Sequence, residues 1–226
     1  MRFLRIAARV AAGHKRVSLE TILDEVRQNC PTDVLEGIGK FLGAGYYGET
    51  YEVDGGDKVM KVSVAKTEAD ANKTLDKVRE IDALGSDAFV KVFDYGVLCE
   101  IDIPDSKYMI KSGVAYFYVM ERLFPLSADE KKVATRTLND LESLANKPDF
   151  ERERKKYMFS KGRQYKRDGD DESALVAAAD LFDRMRAVGA GHRDMHKENV
   201  MKNAEGRFKM IDLEQAKLLG SSPAAA

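Results

Sequence analysis

The chain has 226 residues, 44% of them hydrophobic, with Lys+Arg 37 against Asp+Glu 38 and a formal net charge of −1. That apolar content excludes disorder throughout and allows one sizeable core or two small lobes, while near-neutral charge gives no reason to expect nucleic acid as the general partner. Two cysteines, Cys30 and Cys99, without C-x-x-C spacing, exclude a disulfide framework and a thiolate zinc site and fit a reducing cytosol.

At the start, "MRFLRIAARVAAGHKRVSLE" is basic and apolar, but Arg5 and Arg9 interrupt any signal-peptide core. No apolar run approaches the roughly 20 residues that span a bilayer, so the expectation is a soluble, cytoplasmic protein. Residues 2–12 read as a loosely packed helix, with a membrane-surface helix as the alternative. "VSLETILDEVRQ" predicts a helix over 17–28, ending before Pro31. From Phe41 to Val64 short β-type runs follow, "KFLGAGYYGETYEV", the turn "DGGD" and "KVMKVSV", which predict a hairpin or small meander.

Thr67 opens "TEADANKTLDKVREIDALG", with Asp70 as an acidic capping partner, Leu75, Val78, Ile81 and Leu84 inside, and Gly85 closing the helix. "AFVKVFDYGVLCEID" and "VAYFYVMERL" read as two further strands. Beyond Leu123 the character is helical, in "SADEKKVATRTLNDLESLA" and "ESALVAAADLFDRMRAVG", the second amphipathic through Leu175, Ala178, Leu181, Phe182 and Met185. Between them "FERERKKYMFSKGRQYKRDGDDE" reads as a solvated helix and loop, its basic part at 152–167 a candidate partner-contact region. "SSPAAA" reads as a disordered tail. The segments divide as an N-terminal helical extension over 1–36, a small sheet with one helix over 37–123, and a helical part over 124–226.

Chemistry concentrates in "GHRDMHKENVMKNAEGRFKMIDLE", residues 191–214. Two readings compete. His192 and His196, four apart, would share a helix face and could clamp zinc; alternatively Asp194 meets a substrate hydroxyl while Asn199 and Asp212 hold magnesium. The zinc reading lacks a glutamate after the first histidine and any evident third ligand. Upstream, Gly43, Gly45 and Gly48 form a G-x-G-x-x-G between two strand-like runs, as in a hairpin folded over phosphates rather than the strand-to-helix turn of a dinucleotide site. Lys61 lies in a strand, and Glu80 on the following helix is its expected ion-pair partner, with Leu84 marking the inward side and Glu68 the competing partner.

"LGAGYYGETY", "VMKV", "REIDAL", "YVMERL", "HRDMHKENVM" and "MIDLE" occur in an order and at spacings that resemble the protein kinase-like family from residue 42 to 214. The resemblance implies an α+β fold: a bilobal kinase-like architecture with a small antiparallel-sheet N-lobe carrying one helix and a reduced helical C-lobe. It implies that Gly43, Gly45 and Gly48 cover phosphates, Lys61 contacts them with Glu80 as partner, Met120 guards the adenine pocket, and Glu121 to Leu123 form the hinge. Asp194 is then the catalytic aspartate, Asn199 and Asp212 the metal ligands, and ATP with magnesium, or manganese in its place, the cofactor set. His192 is then structural, and His196 lies in the catalytic loop.

His196, two after Asp194, and Leu213-Glu214 after Asp212 are instead similar to antibiotic and choline phosphotransferases. Little chain follows Asp212, so the closest resemblance is to miniature kinases of tailed phages and bacterial effectors. The expected function is γ-phosphoryl transfer from ATP to Ser or Thr of a host-cell protein, possible on the chain itself as well. The alternatives are a small-molecule phosphotransferase, which predicts an acidic enclosed acceptor pocket, and a non-catalytic kinase-like binding module.

Overall fold

A computed structural model of the chain describes residues 35–44, 48–102, 112–168, 172–193, 195 and 198–219. The expected helix at 17–28, nearly all of the 1–36 extension and the "SSPAAA" tail lie outside the described residues. The fold is α+β, an antiparallel sheet followed by helices. It divides into two compact units, one of residues up to 79 with 91–122, the other of 80–90 with the chain from 123 onward. The 80–90 stretch, grouped by sequence with the sheet, thus belongs to the second unit.

The first unit is a five-stranded sheet of β1 (Ile38–Ala44), β2 (Gly48–Val53), β3 (Lys58–Ala65), β4 (Val92–Asp102) and β5 (Ser112–Glu121), in the order β1-β2-β3-β5-β4. Every pairing is antiparallel. Strand alternation sends Tyr51, Val53, Met60, Val62, Phe117 and Val119 to one face, where they cluster with Leu35 and Ile38. Val59, Lys61, Ser63, Tyr116, Tyr118 and Met120 take the opposite face by the same register. Both faces of β5 are covered, which is why "VAYFYVM" is buried throughout and does not alternate in polarity.

The β2–β3 connection needs its glycines. Gly56 has φ 105° and a Cβ there would lie 3.1 Å from the Arg122 guanidinium, which donates to the Gly56 carbonyl at 3.0 Å and pairs with Glu52 at 2.8 Å.

Helix α1 (Glu68–Asp82) starts where the Thr67 cap places it. The Thr67 hydroxyl accepts from the Asp70 amide at 3.1 Å and donates to the Asp70 carboxylate at 2.9 Å. Ala71, Leu75, Val78 and Ile81 form its buried stripe, and Gly85, at φ 61°, follows its end. Leu84, expected inside, lies beyond the last helical residue and is half-buried. Cys99 on β4 is disulfide-bonded. Nothing in the sequence, read as holding too few cysteines for a disulfide framework and as fitting a reducing cytosol, signalled this bond.

The second unit holds α2 (Ala128–Ala145), α3 (Phe150–Asp168) and α4 (Glu172–Ala187), with α4 packing on the other two. Its short strands are β6 (Phe124–Pro125), β7 (Ala190–His192), β8 (Val200–Lys202), β9 (Phe208–Met210) and β10 (Ala216–Leu218), paired as β6-β8-β9 and β7-β10. Leu175, Ala178, Leu181, Phe182 and Met185 of α4 are all buried, as the 3.6-residue period predicts. The basic segment is helix α3, which buries only Phe150, Gly162 and Tyr165 and leaves Arg152, Lys155, Lys156, Arg163, Lys166 and Arg167 exposed.

Ser127 caps α2 with a full reciprocal box. Its hydroxyl accepts from the Glu130 amide at 3.2 Å, and the Glu130 carboxylate accepts from the Ser127 amide at 2.7 Å. Glutamate reaches back to the cap amide, whereas the shorter Asp70 reaches only the Thr67 hydroxyl. Ser127→Ala is expected to destabilise the protein by about 1 kcal/mol, read as a lower urea midpoint with unchanged slope; an unchanged midpoint would show that the box contributes nothing. No helix among the described residues is long and apolar enough to cross a membrane.

Candidate active site

The phosphate-side residues of the first unit are set out by strand register. Gly43 of β1 pairs with Thr50, Thr50 with Lys61, Lys61 with Tyr118 and Tyr118 with Tyr95, so one row crosses all five strands. Neighbouring strands lie about 4.8 Å apart, which puts the Gly43 backbone about 10 Å from that of Lys61. Gly48 opens β2, so Gly43 and Gly48 flank the turn of an antiparallel hairpin, as the G-x-G-x-x-G reading expects. Gly45, Tyr46 and Tyr47 lie outside the described residues.

Half-buried Lys61 has its ammonium 5.5 Å from the Tyr118 ring centroid. Next in the row, Tyr95 ties α1 to the sheet. Its hydroxyl accepts from Arg79 Nε at 2.8 Å, and the guanidinium stacks at 5.3 Å over its ring. Met120, 8% exposed, ends the same face as Lys61, two pairs along β5 from Tyr118. Glu121 closes the strand, its carboxylate accepting from the Lys91 amide at 2.7 Å and its amide donating to the Lys91 carbonyl at 3.0 Å.

Glu80 departs from expectation. It is exposed on α1, on the side opposite the stripe of Ala71, Leu75, Val78 and Ile81, and forms no ion pair among the described residues. The inward direction had been taken from Leu84, but the helix ends at Asp82 and Leu84 no longer marks its face.

The metal-side residues of the second unit stand at the open end of the β8–β9 hairpin. Val200 pairs with Met210, and the next rung is closed by the Ile211 amide donating to the Asn199 carbonyl at 2.9 Å, so Asn199 lies opposite Ile211 and Asp212 follows one position beyond. Asn199 is 7% exposed, and Leu123, the hinge residue expected to follow Glu121, is buried in this unit. Asp212 has φ 59° and ψ 56°, the left-handed region that a non-glycine residue adopts at a cost.

Contacts from Gln215 and His192 hold it there. The Gln215 amide donates to the Asp212 carbonyl at 2.9 Å, and His192 Nε2 lies 3.1 Å from the carbonyls of both Ile211 and Asp212. A carbonyl can only accept, so Nε2 carries the proton. His192, 1% exposed, is thus a structural donor whose ring clamps the turn bearing Asp212. Leu213, fully buried, anchors the turn's other side. Asp194 and His196 lie outside the described residues.

No model of a known protein family matches the chain, and no curated protein does. The site is therefore read from its own chemistry. Among the described residues no three His, Cys, Asp or Glu side chains gather as a metal-binding group, and His196, which the zinc reading needs, lies outside them. The carboxylate of Asp212 and the amide oxygen of Asn199 are hard donors of the kind that magnesium and manganese take together with water and phosphate oxygens.

Glu49 escaped sequence reasoning. It follows Gly48, pairs with Ala44 across the hairpin and is 2% exposed, its carboxylate accepting from the Tyr51 hydroxyl at 2.8 Å. Burial pushes its pKa up from 4.5 to about 7, against the Tyr51 hydrogen bond, which lowers it. Strand alternation was the available signal, because Glu49, Tyr51 and Val53 share the apolar face.

Within the second unit a cavity of about 590 Å³ is lined by Leu126, Lys131, Lys132, Thr135, Arg136 and Glu198. Its charge is predominantly basic. Lys131 crosses to Glu198, the residue before Asn199, with Nζ 3.2 Å from Oε2.

Proposed function

We propose that the protein is an ATP-dependent kinase of protein kinase-like, bilobal architecture, transferring the γ-phosphoryl group to Ser or Thr hydroxyls of a protein acceptor. The observation that carries the reading is Asp212: a carboxylate residue held in a strained left-handed conformation by a buried histidine, at the end of the hairpin that also carries the buried Asn199. Backbone strain over-determined by its surroundings clusters at functional positions. The hairpin glycines in register with Lys61 support the phosphate-binding half of the reading, and the reading assigns both halves to one nucleotide.

In this mechanism Asp194 accepts the proton of the acceptor hydroxyl as its oxygen forms the new bond to Pγ. The bond from Pγ to the bridging oxygen breaks, and ADP leaves with the electron pair. Lys61 and the amides of the glycine hairpin hold the phosphates and oppose the developing charge. Asn199 and Asp212 would hold magnesium or manganese, which supplies charge neutralisation at the phosphates. Met120 and the Glu121–Leu123 backbone would receive adenine. Glu80, turned to the exposed side of its helix, has no part in the reading.

The rival phosphotransferase reading, with aminoglycoside or choline-like acceptors, calls for an acidic acceptor pocket, whereas Lys131, Lys132 and Arg136 make the cavity beside Glu198 basic. The deciding experiment is incubation with labelled ATP and magnesium, followed by mapping of phosphorylated residues on a generic protein substrate and on the chain itself. Transfer is expected for the wild type and loss in both Asp194→Asn and Lys61→Met. Equal transfer by all three would refute the assignment, and nucleotide binding without any turnover would leave a kinase-shaped binding module.

A further inference from the structure

We infer that the cavity at the start of α2 is an anion-binding subsite for the acceptor, selecting a hydroxyl flanked by carboxylate or phosphate side chains. This rests on the kinase reading for its place in the reaction, but the site itself is defined by independent chemistry. Lys131 and Thr135 are one turn apart on α2, as are Lys132 and Arg136, and all four line the same cavity. Among the described residues of the lining, three cations face one carboxylate, that of Glu198, a net positive balance.

Lys131 is occupied by Glu198. Lys132 and Arg136 are exposed and have no acidic partner among the described residues, although like charges at this spacing repel. On the helix, Asp129 lies three residues before Lys132 and Asp140 four after Arg136, but neither forms an ion pair with them among the described residues. Glu130 is committed elsewhere, accepting from Lys202 Nζ at 2.8 and 3.0 Å and from the Ser127 amide. The Thr135 hydroxyl oxygen is buried without a hydrogen-bond partner.

Two exposed cations without an ion pair among the described residues, on a cavity whose described lining is net basic, fit an oxyanion that accepts from Lys132 and Arg136. The Lys131–Glu198 bridge places the cavity wall against the segment that carries Asn199, so an anion held there would belong to residues near the phosphorylated hydroxyl. Carboxylate and phosphate share this chemistry, and the experiment separates them.

Peptides with one serine and identical length are compared as acceptors, with glutamate, phosphoserine, glutamine or lysine flanking it, using the full chain and its Lys132→Glu/Arg136→Glu variant. The expected result is kcat/KM about 10-fold higher for anionic than for neutral flanks, carried by KM, with the preference lost in the variant while kcat is retained. The glutamate and phosphoserine arms show which oxyanion is preferred. Equal use of glutamate and lysine flanks by the wild type, or a preference that survives in the variant, would overturn the inference.

Anisotropy of a fluorescein-labelled glutamate-flanked peptide keeps the two claims separable. Binding that is lost in the variant, with no transfer to any acceptor, would remove the kinase reading and leave the anion site. Transfer without binding selectivity would do the reverse.

Discussion

Asp212→Gly is expected to yield a folded protein relieved of backbone strain at this position but essentially without phosphotransfer. At φ 59° and ψ 56° the Asp212 backbone sits where an L-residue crowds its own carbonyl, and glycine removes that penalty. Part of the gain returns to the unfolded chain, which glycine makes more flexible, so the backbone contribution in favour of glycine is up to about 1 kcal/mol. The clamp itself uses backbone carbonyls as acceptors from His192 and Gln215, and survives the substitution.

Loss of the carboxylate should lower transfer by roughly 10³-fold, the scale seen when one electrostatic contributor to phosphoryl or acyl transfer is removed. Asp212→Asn supplies the control, because asparagine also tolerates the left-handed region but carries no charge. It is expected to match the wild type in stability and the glycine variant in activity. Urea unfolding and initial transfer rates on the three proteins decide the matter. If both variants kept wild-type transfer, Asp212 would be a turn residue and no metal ligand.

Glu49→Gln is expected to raise stability at pH 8 and leave it unchanged near pH 4.5. In the fold the Glu49 carboxyl titrates near 7, whereas in the unfolded chain it titrates near 4.5. Between those values the native protein holds a proton that the unfolded chain has released, so stability falls as pH rises through the interval and is flat above it. At about 1.4 kcal/mol per pH unit, the interval corresponds to on the order of 3 kcal/mol.

Glutamine keeps an acceptor for the Tyr51 hydroxyl but cannot ionise, so the variant escapes the loss. Paired urea titrations at pH 5 and pH 8 measure the effect, and an equal difference between the two proteins at both values would show that Glu49 does not titrate in this range. Because Glu49 pairs with Ala44 at the base of the glycine hairpin, its ionisation would introduce charge beneath the proposed phosphate-binding turn.

Much of the fold is encoded locally. The strand alternation of "KVMKV", the Thr67 start of α1 and the apolar period of α4 each follow from the energetics of one segment, and the structure contains each of them. The hairpin placement of the glycines was legible for the same reason, since turn residues between two alternating runs leave few options. The basic stretch at 152–167 is likewise the solvated helix that its composition favours.

What the tertiary structure alone decided depends on which groups are brought out of water and against what. Glu49 is an ordinary glutamate until a sheet closes over it, and Asp212 an ordinary aspartate until His192, twenty positions earlier, fastens the turn's carbonyls. Glu80 was assigned inward from a helix end that local sequence places imprecisely, and side-chain direction turns by about 100° per residue. The cavity of Lys132, Thr135 and Arg136 had no signature beyond helical spacing, because a pocket is made by the residues opposite, here Glu198, which only chain reversal delivers. Periodicity and caps report energies within one element, whereas burial, charge pairing and backbone strain arise between elements distant in the chain.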